Sequence, residues 1–581
     1  MNSSRIERNQ ALKSNAILTG FAGLYTLAAL CITAFSLYLT VILHWQGAFR
    51  DLWEFVDDIE KQFQGIWSAS YLLDAYGGAH RIFFPKLLFF ADYYWFGGRN
   101  ALTTTIALLC QFGYGLLIWR ATRWQSFIAS ERILVISLFI LALFSTTQVS
   151  NFLYAMDVQW YMSNFLGLIG LYVLAYYKDN AKKWLLVLLF GSAAALCNFT
   201  GIMPLFIAVL TLLIQHNRKP LHYGLLITIG IICFFYIHND KNSANVVIGA
   251  LMLSDNLETT FRIINNTLID MAIYVPRYLS SPLSRTWPIA GGALAIIGIA
   301  VTAFNWLRLF HNNIALTPWQ KLCLFISTGI IVSAIFTAFG RVIYPNSAIA
   351  ERYQTLVLPW LPSLFGLLWS DLRNTNFRTV FLGVWTITFA YYFLPAQPVS
   401  AKSMVVLSSR VQQAHTAARA GVLEPPYILA TLSHPLIKNK INSVKDNDTF
   451  LRSHSLGYFQ HLPQFSIGKQ LTITEEPACL GNISPRLDNT AQAWIFDGQL
   501  LIDDQNPATD ILITQGETIK GLGILLGSDD SLLPATQQTA QQSRFRAYAH
   551  EQALQRDKPI TLLGVRDNII QCQMTLTSIT P

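Results

Sequence analysis

Long apolar runs separated by short polar links fill the first 395 residues of the chain. Crossing an apolar core of about 30 Å takes roughly 20 residues of helix. Eleven segments answer to that pattern: 16–43, 99–119, 132–149, 159–177, 183–198, 201–215, 221–237, 288–305, 320–339, 354–370 and 378–394. The pair 183–215 also reads as one element broken around Asn198 to Pro204. The first run is long and has no clear cleavage site, so it is expected to be a retained span. Past residue 400 the pattern changes. Apolar periodicity from Met404 to Val422 predicts helix within 401–460. Short alternating runs at 469–474, 493–502, 510–514, 518–526, 544–549, 560–565 and 569–578 predict strands.

These periods predict three regions: a membrane domain over 1–395, a helical connector over 396–462 and a β-sandwich-like domain over 463–581. Composition agrees with the first. Of the 581 residues 52% are hydrophobic and 13% charged, and the mean hydropathy of +0.38 is too apolar for a soluble protein. The tail is close to neutral, so the net charge of +8 belongs to the membrane part.

The links are of two kinds. Tight ones carry Arg120, Arg123 and Arg132; Lys178, Lys182 and Lys183; Arg218 and Lys219; Arg308 and Lys321; Arg373 and Arg378. By the excess of Lys and Arg on the inner face, they are expected to be cytoplasmic, with the N-terminus inside and the tail outside in an inner-membrane protein. The opposite links 150–158 and 198–201 have no Lys or Arg, but others on that side hold Arg81, Lys86, Arg99, Arg277, Arg285, Arg341 and Arg352. Either the charge rule is blurred there or those cations meet an anionic ligand. Cys479 and Cys572, alone in the tail, could pair if it is extracytoplasmic. No spacing signal decides it.

The first outer link holds the densest chemistry. Leu52, Phe55, Val56, Ile59, Phe63, Ile66 and Trp67 recur at three- and four-residue spacing, an amphipathic helix. With Trp45 and Trp53 beside it, that helix is expected to lie on the outer leaflet. Asp57, Asp58, Glu60 and Lys61 then face water. A solvated polar face explains them, but a carboxylate at this height could also take a proton from an acceptor hydroxyl or hold a divalent cation that bridges phosphates. Next, His80, Arg81 and Lys86 surround a helix start at Pro85, where backbone N–H groups favour anions; snorkelling to headgroups is the plainer alternative. Asp92 is expected to pair with Lys86 or Arg99.

An acidic pair after span one, Asp57-Asp58, then Pro85-Lys86-Leu87 and Phe96-Gly97-Gly98 before span two, resembles the GT-C class of polytopic glycosyltransferases. These use polyprenyl-phosphate sugars. The stretch from His80 to Leu88 also resembles a group of bacterial membrane proteins related to that class. The resemblance covers the first two spans closely, the others by layout, and the tail not at all. It implies a polyprenyl-phosphate sugar as donor, a glycan, lipid or protein hydroxyl as acceptor, and catalysis by Asp57 or Asp58. The usual second residue of the pair is Glu, whereas here Asp58 is followed by Ile59-Glu60, so which carboxylate corresponds stays open.

Two later outer links add candidates. Asp157 and Gln159 stand at the mouth of the fourth span, where an ionisable residue is a functional candidate or a helix cap. Arg341, Tyr344 and Arg352 flank the turn Tyr344-Pro345-Asn346-Ser347, and an Arg fork beside a helix start suits phosphate. A structural pair of Arg352 with Glu351 or Asp157 is the alternative. The chain has no P-loop, dinucleotide fingerprint, HExxH or CxxC, and its scattered cations do not form a nucleic-acid stripe. The expected function is therefore a GT-C-type membrane glycosyltransferase. The alternatives are a lipid-linked oligosaccharide polymerase or ligase, which would need no Asp base, and a transporter or scaffold.

Overall fold

The computed structural model describes residues 2–579 except 67, 75–80, 215–219, 239–269, 282–287, 312–315, 342–352, 374, 376, 424–440, 461–464, 473–475, 504–505 and 527–543. It is mostly helical, with a β domain at the C-terminal end. Helices α1 (Asn2–Ile42), α2 (Trp53–Phe63), α3 (Phe83–Phe96), α4 (Ala101–Arg123), α5 (Ala129–Leu143), α6 (Val149–Leu153), α7 (Val158–Tyr176), α8 (Ala181–Ala195), α9 (Met203–Ile214) and α10 (Pro220–His238) come first. They are followed by α11 (Pro288–Phe310), α12 (Pro318–Arg341), α13 (Gln354–Val357), α14 (Trp360–Leu372), α15 (Arg378–Phe393), α16 (Ala396–Arg419) and α17 (Ile441–Ser453). Each of the eleven apolar segments carries helix. Among the described residues eight helices are long and apolar enough to cross a membrane; α8, α9 and α10 fall short of that criterion. The α8–α9 break lies where the sequence suggests, with the Asn198 side chain accepting from Thr200 N at 3.1 Å.

Two sets of links gather at opposite ends of the bundle. At the short-link end Arg373 reaches Glu131 at 3.3 Å, Arg308 reaches Asp371 at 2.5 Å, and Tyr176 donates to Ala121 O at 2.9 Å. At the long-link end Asn100 Nδ2 donates to Trp45 O and Gly47 O, Asn198 bonds Gln159, and Thr146 bonds Gln397.

Helix α16 runs from the bundle into the tail and ends in a Schellman motif. Gly421 takes φ +82° there, and Val422 N donates back to Ala417 O. Seven antiparallel strands follow: β1 (Leu480–Asp488), β2 (Ala493–Leu501), β3 (Asp510–Gln515), β4 (Thr518–Leu526), β5 (Arg544–His550), β6 (Ile560–Arg566) and β7 (Ile569–Leu576). They form one sheet in the order β1-β2-β5-β4-β3-β6-β7, a half-barrel where two facing sheets were expected. Its two edges meet, because Cys479 and Cys572 form a disulfide and Cys479 N donates to Gln573 O. Side-chain alternation sends Trp494, Phe496, Ile511, Ile513 and Leu562 into the curl, and Ile495, Leu512, Leu522, Tyr548 and Leu563 against Ala417, Ala420 and Val422 at the end of α16.

Three sequence expectations change. Residues 480–488 are a strand that the alternation did not reveal, because Pro485 and a polar composition suit only an edge. The run 469–474 contributes just the isolated bridge Gln470–Thr518 among its described residues. Trp45 and Trp53 are buried inside the protein instead of facing lipid.

Candidate functional site

The first link is built on α2. Its apolar stripe is covered on both flanks by protein: Phe55 meets Phe89 of α3, while Trp53, Val56 and Ile59 join Tyr93, Ala418, Phe450, Leu451 and Tyr458 in a separate small core. The helix is therefore wedged between α3 and the tail, and its apolar face is not available to the leaflet. The tail is tied to this link through its backbone. Gly457 N donates to Gly97 O at 2.7 Å, Asn447 Nδ2 to Trp53 O at 3.2 Å, and His415 Nε2 bonds Ala48 O at 3.3 Å. The left-handed Gly47 and Gly97 leave room for this docking, since a Cβ at Gly47 would lie 2.8 Å from the Tyr458 ring.

That wedge leaves the polar stripe of α2 outward. Asp57 and Asp58 are both half-buried. Asp58 takes Lys61 Nζ at 3.4 Å, one turn along the helix; Asp57 makes no hydrogen bond or ion pair among the described residues. Lys86, almost fully buried in the first turn of α3, donates from Nζ to Tyr71 O at 2.5 Å and Asp74 O at 3.0 Å, with its charge 5.7 Å from the Phe55 ring. Burial pushes the Lys86 ammonium below its ordinary value, and the negative charges of Asp58 and Asp74 oppose that shift. Arg81 Nη1 donates to Leu73 O at 2.7 Å. Lys86 and Arg81 thus hold the 69–74 turn against α2 and α3.

Asp92 does not pair with Lys86 or Arg99. Its two oxygens accept from Asn100 N and Leu102 N, both at 2.8 Å, and so cap the start of α4. Sequence spacing hides this because Asn100 takes a left-handed φ of 61° that folds the turn back over α3.

Asp157 is buried at the N-cap of α7 without bonding the helix's own N–H groups, and Gln159 accepts from Asn198 Nδ2 at 2.7 Å. Between them and the bundle axis lies a neutral polar network that the sequence reading missed. Thr355 Oγ1 donates to Gln148 at 2.8 Å and accepts from Asn151 at 2.8 Å, and Asn164 donates to Thr355 O. No sequence signal singles it out, because Gln, Asn and Thr in apolar runs resemble isolated interruptions. Beside it, sharing Asn164, lies a small crevice of about 60 Å3, lined by Tyr114, Ser163, Asn164, Gly167, Thr200, Met203, Ile330 and Ser333 among others.

His80, Tyr344 and Arg352 lie outside the described residues, as does the side chain of Arg341, the last residue of α12. The structure therefore brings together Asp57, Asp58, Arg81 and Lys86 in one link, and Asp157 with Gln159 at another. Among the described residues no group of three His, Cys, Asp or Glu side chains gathers to hold a metal ion. Comparison with protein-family models, with curated proteins and with solved structures finds no match.

Proposed function

We propose that this chain is a membrane glycosyltransferase of GT-C type, with eleven spans, a cytoplasmic N-terminus and an extracytoplasmic tail. It transfers a sugar from a polyprenyl-phosphate donor to a glycan, lipid or protein hydroxyl at the long-link end of the bundle. The observation that carries the reading is Asp57, a half-buried carboxylate at that end with no partner among the described residues. Charges that serve architecture are normally paired or capping, as Asp58 and Asp92 are here; one left spare beside a membrane surface suits proton abstraction from an acceptor hydroxyl. The Cys479–Cys572 disulfide supports an extracytoplasmic tail, because such bonds persist in oxidising compartments. In this reading Arg81 and Lys86, with His80, Arg341, Tyr344 and Arg352, hold the donor phosphate and stabilise it as it leaves.

The test is sugar transfer from a polyprenyl-phosphate donor in membranes carrying equal amounts of each variant. Asp57→Asn is expected to lower transfer by about 10²-fold, the scale of a lost acid–base group, with Asp58→Asn as the companion variant. Full activity in both would remove the base. If Arg352→Lys alone then abolished transfer, the polymerase or ligase reading would take its place.

A further inference from the structure

Helix α3 has its charges on the inside. Its two ionisable side chains, Lys86 and Asp92, are 4% and 2% exposed, held by carbonyls of the 69–74 turn and by the N–H groups of α4. The opposite face has no charge at all. It presents Leu87 at 40% exposure, Trp95 at 78%, and Tyr94 at 54% with one side of its ring against Phe63 of α2. A helix at a water-exposed surface would show the reverse distribution.

Its surroundings indicate what covers that face. Through Asp92, α3 is fixed to the start of α4, whose outward side exposes Leu109, Phe112 and Leu116 within a candidate membrane span. The end of α1, whose last turn exposes Val41 at 74%, leads into the same link. The bare face of α3 is thus fixed beside the start of a candidate membrane span whose outward side chains are apolar. Consecutive Tyr and Trp are the side chains that favour the boundary between headgroups and acyl chains.

We propose that α3 lies within the bilayer interface, with Leu87, Trp95 and the open side of Tyr94 immersed in the leaflet at the long-link end. It acts as a float. Because Lys86 of α3 holds the 69–74 turn, and Phe89 packs on Phe55, the depth of α3 sets the height of α2 and its carboxylates above the membrane. The inference depends on the membrane reading of the bundle and not on glycosyl transfer.

A nitroxide spin label tests it. The full chain, with Cys31 replaced by Ser and its other free thiols retained, is reconstituted in phosphatidylcholine–phosphatidylglycerol vesicles. Labels are placed by Trp95→Cys, Leu87→Cys and, as a water-exposed reference in the β domain, Asp557→Cys; the Cys31→Ser chain gives the background. Labels at 95 and 87 should collide more with oxygen than with a water-soluble nickel chelate, and the label at 557 should do the opposite. Nickel collisions at 95 and 87 as frequent as at 557 would place α3 in water and overturn the proposal. A label at 95 that is immobilised and shielded from both reagents would overturn it too, showing that a second copy of the chain covers the face. The readout is independent of enzymatic activity, so its failure leaves the glycosyltransferase reading to its own assay.

Discussion

The two ends of the bundle satisfy polar groups in opposite ways. At the short-link end charge is met by charge, Arg308 with Asp371 and Arg373 with Glu131, and Asp179 lies 3.3 Å from His222 Nε2 while its other oxygen accepts from Trp184 Nε1. Several of these groups remain partly exposed, where water shares the work. At the long-link end the buried groups are mostly neutral amides and hydroxyls, bonded to one another and to the backbone, as around Gln148, Thr355 and Gln397. Of the charged side chains there, Lys86 and Asp92 serve backbone groups, Asp58 pairs with Lys61 at the surface, and Asp57 stands at the edge. An end built from ion pairs has its charges committed to architecture. An end held by neutral hydrogen bonds does not depend on its carboxylates in the same way, and Asp57 makes no hydrogen bond or ion pair among the described residues.

The largest effect that could break this contrast is at Gln397. Its Oε1 accepts from Ser145 Oγ, Thr146 N and Thr146 Oγ1 at 2.9–3.1 Å in a fully buried corner. Gln397→Leu leaves Thr146 Oγ1 its bond to Gln397 O and Ser145 Oγ its bond to Thr147 Oγ1, but it strands Thr146 N, which costs about 1–3 kcal/mol when buried without a partner. A loss on the order of 2 kcal/mol is expected, read as an earlier midpoint of unfolding in mixed detergent micelles. Unchanged stability would mean that the neutral network does not hold the long-link end together.

A smaller effect tests the charge at that end through pH. Burial raises the Asp92 carboxyl above its ordinary value, against the N–H groups of Leu102 and Asn100 and the charge of His44, which lower it. A folded value above the unfolded one means the folded chain binds this proton more readily. The group therefore favours folding below the ordinary carboxylate range, and that contribution is lost as pH rises through the raised folded value. The stability of the unmodified chain relative to Asp92→Asn should fall as pH rises from the ordinary carboxylate range through the raised folded value. A rise over that window would show that the two N–H bonds outweigh burial, and that Asp92 is held as a charged cap.

Much of the architecture was legible because it rests on periodicity. All eleven apolar segments carry helix, and six of the seven strands sit where alternation puts them. The seventh, 480–488, is an edge strand with Pro485 and little apolar alternation, so its pairing with β2 depends on tertiary context. The candidate site was legible only as a list. Asp57 and Asp58 stand out by position after the first span, but α2 also has a tail partner: its Trp53 face is covered by Phe450 and Tyr458, some 400 residues away in sequence. Local spacing cannot carry a contact of that range, which is why a leaflet was expected where protein packs. Asp92 was misjudged for a similar reason. Its capping role depends on a left-handed Asn100, a conformation that no neighbouring residue type announces.

The smallest expected effect is at the short-link end, and it sharpens the contrast from the other side. Asp371 takes Arg308 Nη1 at 2.5 Å and Gln320 Nε2 at 2.9 Å, yet its side chain is 41% exposed. Asp371→Asn keeps the shape and one oxygen acceptor while removing the charge. Exposed pairs of this kind contribute below about 1 kcal/mol, because water screens them and two side chains must be ordered to form them. The cost should shrink further in high salt, where the Debye length falls to about 3 Å at 1 M. Unfolding midpoints in low and high salt measure both. A salt-independent loss above about 2 kcal/mol would exceed the range for exposed pairs. Asp371, Arg308 and Gln320 would then form a buried cooperative network like that around Gln397, and the two ends would differ in their residues but not in how they are held.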